Sequence, residues 1–198
     1  MVVPNPMPLI QRPAPFDDPD WLFEIKYDGF RALAIFERGS CRFLSRNQHK
    51  LHGFAELRRA LAREINAETA ILDGELAVTD HLGRTVFADI MKRRQQALYF
   101  AFDLLWLDGE DLRELPLLKR KEKLKRILPE RSAHVLYVDH VRGAGQRLYR
   151  VACDLDLEGI VAKRVNSRYE TEGEPWIKMK NPAYSQKEGR GDLFKRPA

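Results

Sequence analysis

Residues 21–46 read WLFEIKYDGFRALAIFERGSCRFLSR, and their reading decides the fold. Short apolar runs flank an Asp-Gly and an Arg-Gly-Ser turn, which is the pattern of consecutive antiparallel strands. Inside this stretch, Lys26-Tyr27-Asp28-Gly29-Phe30-Arg31 places a lysine and an arginine around a tight turn, with Gly29 leaving room for close approach. A lysine on a rigid strand end can be a nucleophile when nearby cations or a metal lower its pKa enough to free the amine. The same hexapeptide also fits a surface strand that ends in an Asp-Gly hairpin.

Upstream, residues 1–20 hold six of the 11 prolines, which bars a helix or a central strand and implies an extended lead-in. Downstream, Phe54, Leu57, Leu61 and Ile65 recur at helical spacing. Residues 70–78 (AILDGELAV) and 85–90 (TVFADI) look strand-like, and 97–109 (ALYFAFDLLWLDG) reads as a buried strand closed by Asp108 and Gly109. Residues 115–128 (LPLLKRKEKLKRIL) predict a helix with one leucine face and one basic face, stopped by Pro129. HVLYVDHV (134–141) returns to strand, 143–157 resembles a helix, and GIVAKRV (159–165) and PWIKMK (175–180) give two more strands. Many strands with three interspersed helices and no regular alternation predict an α+β fold, not a doubly wound sheet.

A chain of 198 residues suits one ordinary domain, and 44% hydrophobic with 32% charged residues excludes disordered, collagenous and low-complexity classes. The longest apolar runs, such as Tyr99 to Leu107, fall well short of the roughly 20 residues of a membrane span, and no basic-then-apolar leader opens the chain. A cytoplasmic protein is expected. Cys41 and Cys153 suggest neither a disulfide framework nor a zinc site, in keeping with a reducing compartment. The balance of 34 Lys+Arg against 29 Asp+Glu, a net +5, mildly favours a polyanionic partner. The charge run Lys119, Arg120, Lys121, Lys123, Lys125, Arg126 reads as a solvated helix face, not as a DNA contact.

An ordered set of motifs then becomes legible. Lys26 to Arg31 fits KxDGxR, followed by Ser45-Arg46-Asn47, Leu72-Asp73-Gly74-Glu75, the aromatic strand Tyr99 to Trp106, Glu158-Gly159-Ile160-Val161-Ala162-Lys163 as EGxVxK, and Trp176-Ile177-Lys178-Met179-Lys180 ending in KxK. In this order the chain resembles the adenylation (nucleotidyltransferase) domain of ATP-dependent DNA ligases, especially bacterial end-joining ligases. The resemblance runs from about Trp21 to Phe194.

It implies an α+β nucleotidyltransferase core, with antiparallel sheets and flanking helices around a nucleotide groove. It divides the chain into the lead-in (1–20), the adenylation domain (21–180) and a basic tail (181–198), with no OB-fold domain. Lys26 would attack the α-phosphorus of ATP, leaving a lysyl-AMP phosphoramidate. Glu24 and the Ile25 backbone would meet the adenine edge and Phe102 would stack on the base. Arg31 and Arg46 would contact sugar or phosphate, and Glu75 the ribose or the metal environment. Glu158 would hold Mg²⁺ or Mn²⁺, a role suited to a cation that takes few carboxylates alongside water and phosphate. Lys178 and Lys180, two apart in a strand, would share a face at the α-phosphate, assisted by Lys163. The partners implied are nicked or broken DNA and an OB-fold or end-joining protein needed for efficient sealing. The tail, with Lys187, Arg190, Lys195 and Arg196, is a candidate DNA contact. The alternatives are a noncatalytic nucleotide or DNA-end-binding module and an RNA ligase-like or capping-type nucleotidyltransferase.

Overall fold

A computed structural model describes residues 1–92 and 96–187. The chain runs β1 (Leu9–Gln11), β2 (Trp21–Ile25), β3 (Phe30–Glu37), β4 (Ser40–Ser45), α1 (Ala55–Glu64), β5 (Ala70–Ala77), α2 (Phe87–Lys92) and β6 (Leu98–Leu107). It continues through β7 (Glu110–Asp111), α3 (Leu117–Ile127), β8 (Val135–Tyr137), β9 (His140–Arg142), α4 (Gly145–Asp154), β10 (Gly159–Arg164) and β11 (Trp176–Lys180), ending in a 3-10 turn at Ser185–Lys187. The first sheet has the order β1-β11-β10-β2-β9; the second has β4-β3-β5-β6-β7, with β8 pairing β6. Pairing is antiparallel except for β1 with β11 and β6 with β8. The expected α+β class with antiparallel sheets is the fold observed.

Residues 21–46 behave differently from a run of hairpins. β3 and β4 do form one, with Arg38 (φ 51°) and Gly39 (φ 69°) both left-handed, as a two-residue hairpin turn requires. β2, however, pairs β10 and β9 in the first sheet, so Lys26 to Gly29 crosses from one sheet to the other. The crossover is pinned because a Cβ on Gly29 would lie 2.0 Å from the Leu76 carbonyl oxygen on β5. Asp28 reinforces it, its backbone N–H donating to Thr85 Oγ1 at 3.2 Å and its carboxylate accepting from Tyr184 Oη at 3.1 Å.

Strand alternation sorts the core into layers. On β3, Leu33 and Ile35 face Val161 and Trp176 of the other sheet, whereas Ala32, Ala34 and Phe36 face the helical side with Leu57, Leu61 and Leu124. The outer face of the first sheet buries Phe23, Ile160 and Met179 against Ala152 of α4. Among the described residues, no helix is long and apolar enough to cross a membrane.

Three local expectations need correction. TVFADI ends in α2, because Phe87 and Ile90, three apart, both reach the core, a spacing a strand cannot provide. HVLYVDHV splits into β8 and β9, which join different sheets. The basic helix α3 is not simply solvated: Arg120 and Lys121 are fully buried, since carboxylates and carbonyls wait behind it. The proline-rich lead-in contributes β1, an edge strand, where missing N–H donors are tolerated. Of the tail, Asn181 and Tyr184 are buried, while Arg190, Lys195 and Arg196 lie outside the described residues.

Candidate active site

Between the two sheets lies a groove of about 980 Å³. Of the residues to which the resemblance gives a site role, all but Lys180 line it. Register explains the convergence. Glu24, Val161 and Lys178 lie in one row across β2, β10 and β11, and Lys163 is two residues along β10 on the same face. Opposite them, Arg31 on β3 is in register with Glu75 on β5.

Lys26 follows β2 directly, its backbone N–H held by the Gly159 carbonyl at 3.0 Å. Its Nζ lies 2.6 Å from Glu158 Oε2. Glu158 Oε1 meets Lys180 Nζ at 3.3 Å, so Lys180 reaches the site from outside the wall. Gly159 (φ 137°) turns Glu158 inward; a Cβ there would lie 2.1 Å from the Met179 carbonyl oxygen. Burial, then Lys180 and Lys26, lowers the pKa of Lys178. Burial pushes the Glu75 carboxyl up to about 8 against the pull of Lys26 and Arg31, and Glu158 adds to the push. Arg46, exposed on the rim, adds positive charge near Lys178.

Arg31 is largely committed within the protein. Its Nε and Nη2 donate to Asp73 at 3.1 and 2.6 Å, and Nη1 donates to the Met7 carbonyl at 2.6 Å. Burial opposes its charge, but Asp73, with Tyr169 and Glu75, outweighs burial and the pKa rises. Two of its five N–H groups therefore remain for a ligand. Asp73 also accepts from Tyr169 Oη at 2.7 Å, and Tyr169 in turn accepts from the Met7 N–H at 3.1 Å. The lead-in is thus a groove wall.

Phe102 sits at one of two register shifts of β6 against β5, with Asp103 opposing Asp73 and Ala101 opposing Gly74. An extra residue in a strand re-aims its side chain, and Phe102 meets Trp176 edge to face at 5.6 Å. Lys163 Nζ lies 4.2 and 4.0 Å from these two ring centroids and 2.5 Å from Glu24 Oε2. Burial brings the Lys163 ammonium down to about 8, although Glu24 pulls the other way. Trp176 Nε1 is buried without a hydrogen-bond partner among the described residues.

Residues 14–180 match the ATP dependent DNA ligase domain family. The chain belongs to the ATP-dependent DNA ligase family. It is 36% identical over 169 residues to the multifunctional non-homologous end joining protein LigD of Pseudomonas aeruginosa, covering 81% of this chain and 20% of that protein. It is 29% identical over 191 residues to the SPbeta prophage-derived DNA ligase-like protein LigB of Bacillus subtilis, covering 92% of this chain and 69% of that one. The ligase domain of Mycobacterium tuberculosis LigD superposes with a TM-score of 0.75 at 28% identity, covering 89% of this chain and 60% of that chain.

The ligase motifs carry Lys26, Lys163, Lys178, Lys180, Glu158 and Glu75. They leave out Met7, Tyr169, Lys121 and Tyr184, which hold the motif residues from outside the motifs. No periodicity marks such residues, since their partners are 17 to 162 positions away in the chain. Tyr184 had one signal, an aromatic within an otherwise polar KNPAYSQ.

Proposed function

We propose that this chain transfers AMP from ATP to Lys26 and passes it to the 5′-phosphate of a DNA break for sealing. The observation that carries the proposal is the Lys26 ammonium, 2.6 Å from Glu158 at the groove wall, with Lys178 and Lys180 close to the same carboxylate. A groove of about 980 Å³ suits a nucleoside triphosphate.

In the first step the Nζ lone pair attacks the α-phosphorus. The N–P bond forms, the bond to the pyrophosphate oxygen breaks, and pyrophosphate leaves with that electron pair. Lys26 must first lose a proton to solvent, and Glu158, its hydrogen-bond acceptor, orients the amine. Lys178 and Lys180 offset the charge that develops on the phosphoryl oxygens. Phe102 stacks on the base, Arg31 and Arg46 hold sugar or phosphate, and Glu24 with the Ile25 backbone reads the adenine edge.

Glu158 and Glu75 would hold the divalent cation. The Glu75 carboxyl feels the charge of Glu158, and two carboxylates completed by water and phosphate oxygen fit Mg²⁺. Among the described residues no group of three His, Cys, Asp or Glu side chains gathers, so a closed protein cage is not the design. When bound, the cation supplies neutralisation of phosphate charge.

Parallel incubations with ATP labelled at the α- or γ-phosphate, with Mg²⁺, test the reading. Label from the α position should become covalent and label from the γ position should not. Tight nucleotide binding without covalent label would favour the noncatalytic module instead.

A further inference from the structure

The groove wall is fastened from behind by a residue outside every motif. Lys121, on α3, passes its ammonium through to the back of Glu24, where it donates to Glu24 Oε1. It also donates to the Val138 carbonyl at 3.0 Å and to the Phe102 carbonyl at 3.3 Å. An ammonium has three N–H groups, and these three acceptors use all of them. The side chain is 1% exposed, with the Tyr137 ring centroid 4.7 Å from Nζ.

Both oxygens of Glu24 are therefore bound by lysines, Oε1 by Lys121 from the helix side and Oε2 by Lys163 from within the groove. Each carboxylate oxygen accepts about twice, so at least one lone pair on each oxygen remains. A carboxylate held in this way offers only acceptors. It suits a base edge that presents an amino group and opposes one that presents a carbonyl. The same ammonium holds the backbone of Phe102, whose ring stands on β6 of the other sheet.

We propose that Lys121 is a positioning residue that sets the choice of nucleotide base, by fixing Glu24 as an acceptor and Phe102 as a platform. The inference rests on the reading that a nucleotide occupies this groove. A site built to hydrogen-bond one group discriminates strongly against an analogue that lacks it, because its own polar groups are then left unpaired. Losing the fastener relaxes that choice without touching the reacting atoms.

The test compares covalent AMP and GMP formation by the full chain and by its Lys121→Met and Lys121→Arg variants, with melting followed in parallel. In Lys121→Met the ratio of kcat/KM for ATP over GTP should fall at least tenfold, through a higher KM for ATP, with the saturating rate within threefold of wild type. Lys121→Arg, which keeps the charge, should recover part of the ratio. A second measurement needs no variant: in the unmodified chain, the Lys121 ammonium resonance should shift on adding ATP, while the resonance of Arg120 Nε, equally buried next to it, stays in place. An unchanged ratio in a folded Lys121→Met variant, or an unmoved Lys121 resonance in an adenylated chain, overturns the role of Lys121 alone. A wild-type chain that forms no adduct and binds no ATP overturns both this role and the nucleotide reading.

Discussion

Lys26 and Lys121 both pair with a glutamate on the wall of the groove, yet Lys26 keeps 21% of its side chain in solvent and Lys121 keeps 1%. Lys121 has an acceptor for each of its three N–H groups; Lys26 has Glu158. A buried charge must be saturated because low polarity makes any unmade bond expensive. A charge at the solvent edge can exchange partners cheaply. Saturation thus separates the lysine that holds the site from the lysine placed to react in it.

The comparison breaks most visibly at Lys26. Lys26→Ala should lower covalent AMP formation by at least about a thousandfold, because the residue that forms the bond is gone. Its melting temperature should stay close to wild type, since a partly exposed ion pair contributes about 0–1 kcal/mol. Residual labelling near the wild-type level, measured by scintillation counting, would show that another group carries AMP.

A saturated pair should respond in the opposite way. Arg120 holds Asp103 through two hydrogen bonds of 2.8 and 2.9 Å, and its Nη1 donates to the Leu115 and Ser167 carbonyls. Asp103→Ala leaves that guanidinium buried without its counter-charge, at a cost of about 3–5 kcal/mol. Replacing both partners, in Asp103→Leu/Arg120→Met, should recover much of the loss. Urea titration of the three chains checks this, and equal stabilities would remove the distinction.

These cases show what was legible in the sequence. The groove residues that act on a ligand sit in short motifs whose spacing matches a strand, so Lys178 and Glu24 reach the same row of one sheet through side-chain alternation. Phe102 was legible only through the family resemblance, because its aim depends on the irregular pairing of β6 with β5, which no alternation rule anticipates. Asp-Gly is a turn signal in isolation, so the sequence alone suggests a hairpin where Lys26 to Gly29 cross between sheets. What overrides it is the Leu76 carbonyl packed against Gly29, 47 residues downstream. In sequence, Arg120 and Lys121 read as solvated because a basic stripe on an amphipathic helix usually faces water, and their carboxylates lie 17 and 97 residues away.

Phe102→Ala sharpens the comparison from the ligand side. Base stacking is worth about 1–3 kcal/mol, so KM for ATP should rise by roughly 5- to 150-fold with a smaller change in the saturating rate. Steady-state labelling at varied ATP measures both, and an unchanged KM would assign Phe102 to the core.

The smallest effect expected is a pH dependence at Lys163, which lies between the two extremes. Its folded pKa of about 8 is below its ordinary value of 10.5, so the unfolded chain binds more protons between these limits. Its penalty on stability is therefore full below about pH 8 and is relieved as pH rises toward 10.5. Over that window the urea midpoint of wild type should rise relative to that of Lys163→Met. Parallel curves would contradict the assignment.

The central claim is that Lys26, and no other lysine around the groove, becomes bonded to phosphorus. The direct measurement is peptide mapping by mass spectrometry after incubation with ATP and Mg²⁺, followed by addition of pyrophosphate. The account predicts AMP on the peptide carrying Lys26, removed when pyrophosphate reverses the step. AMP on Lys163, Lys178 or Lys180, or an adduct that pyrophosphate leaves in place, would contradict it.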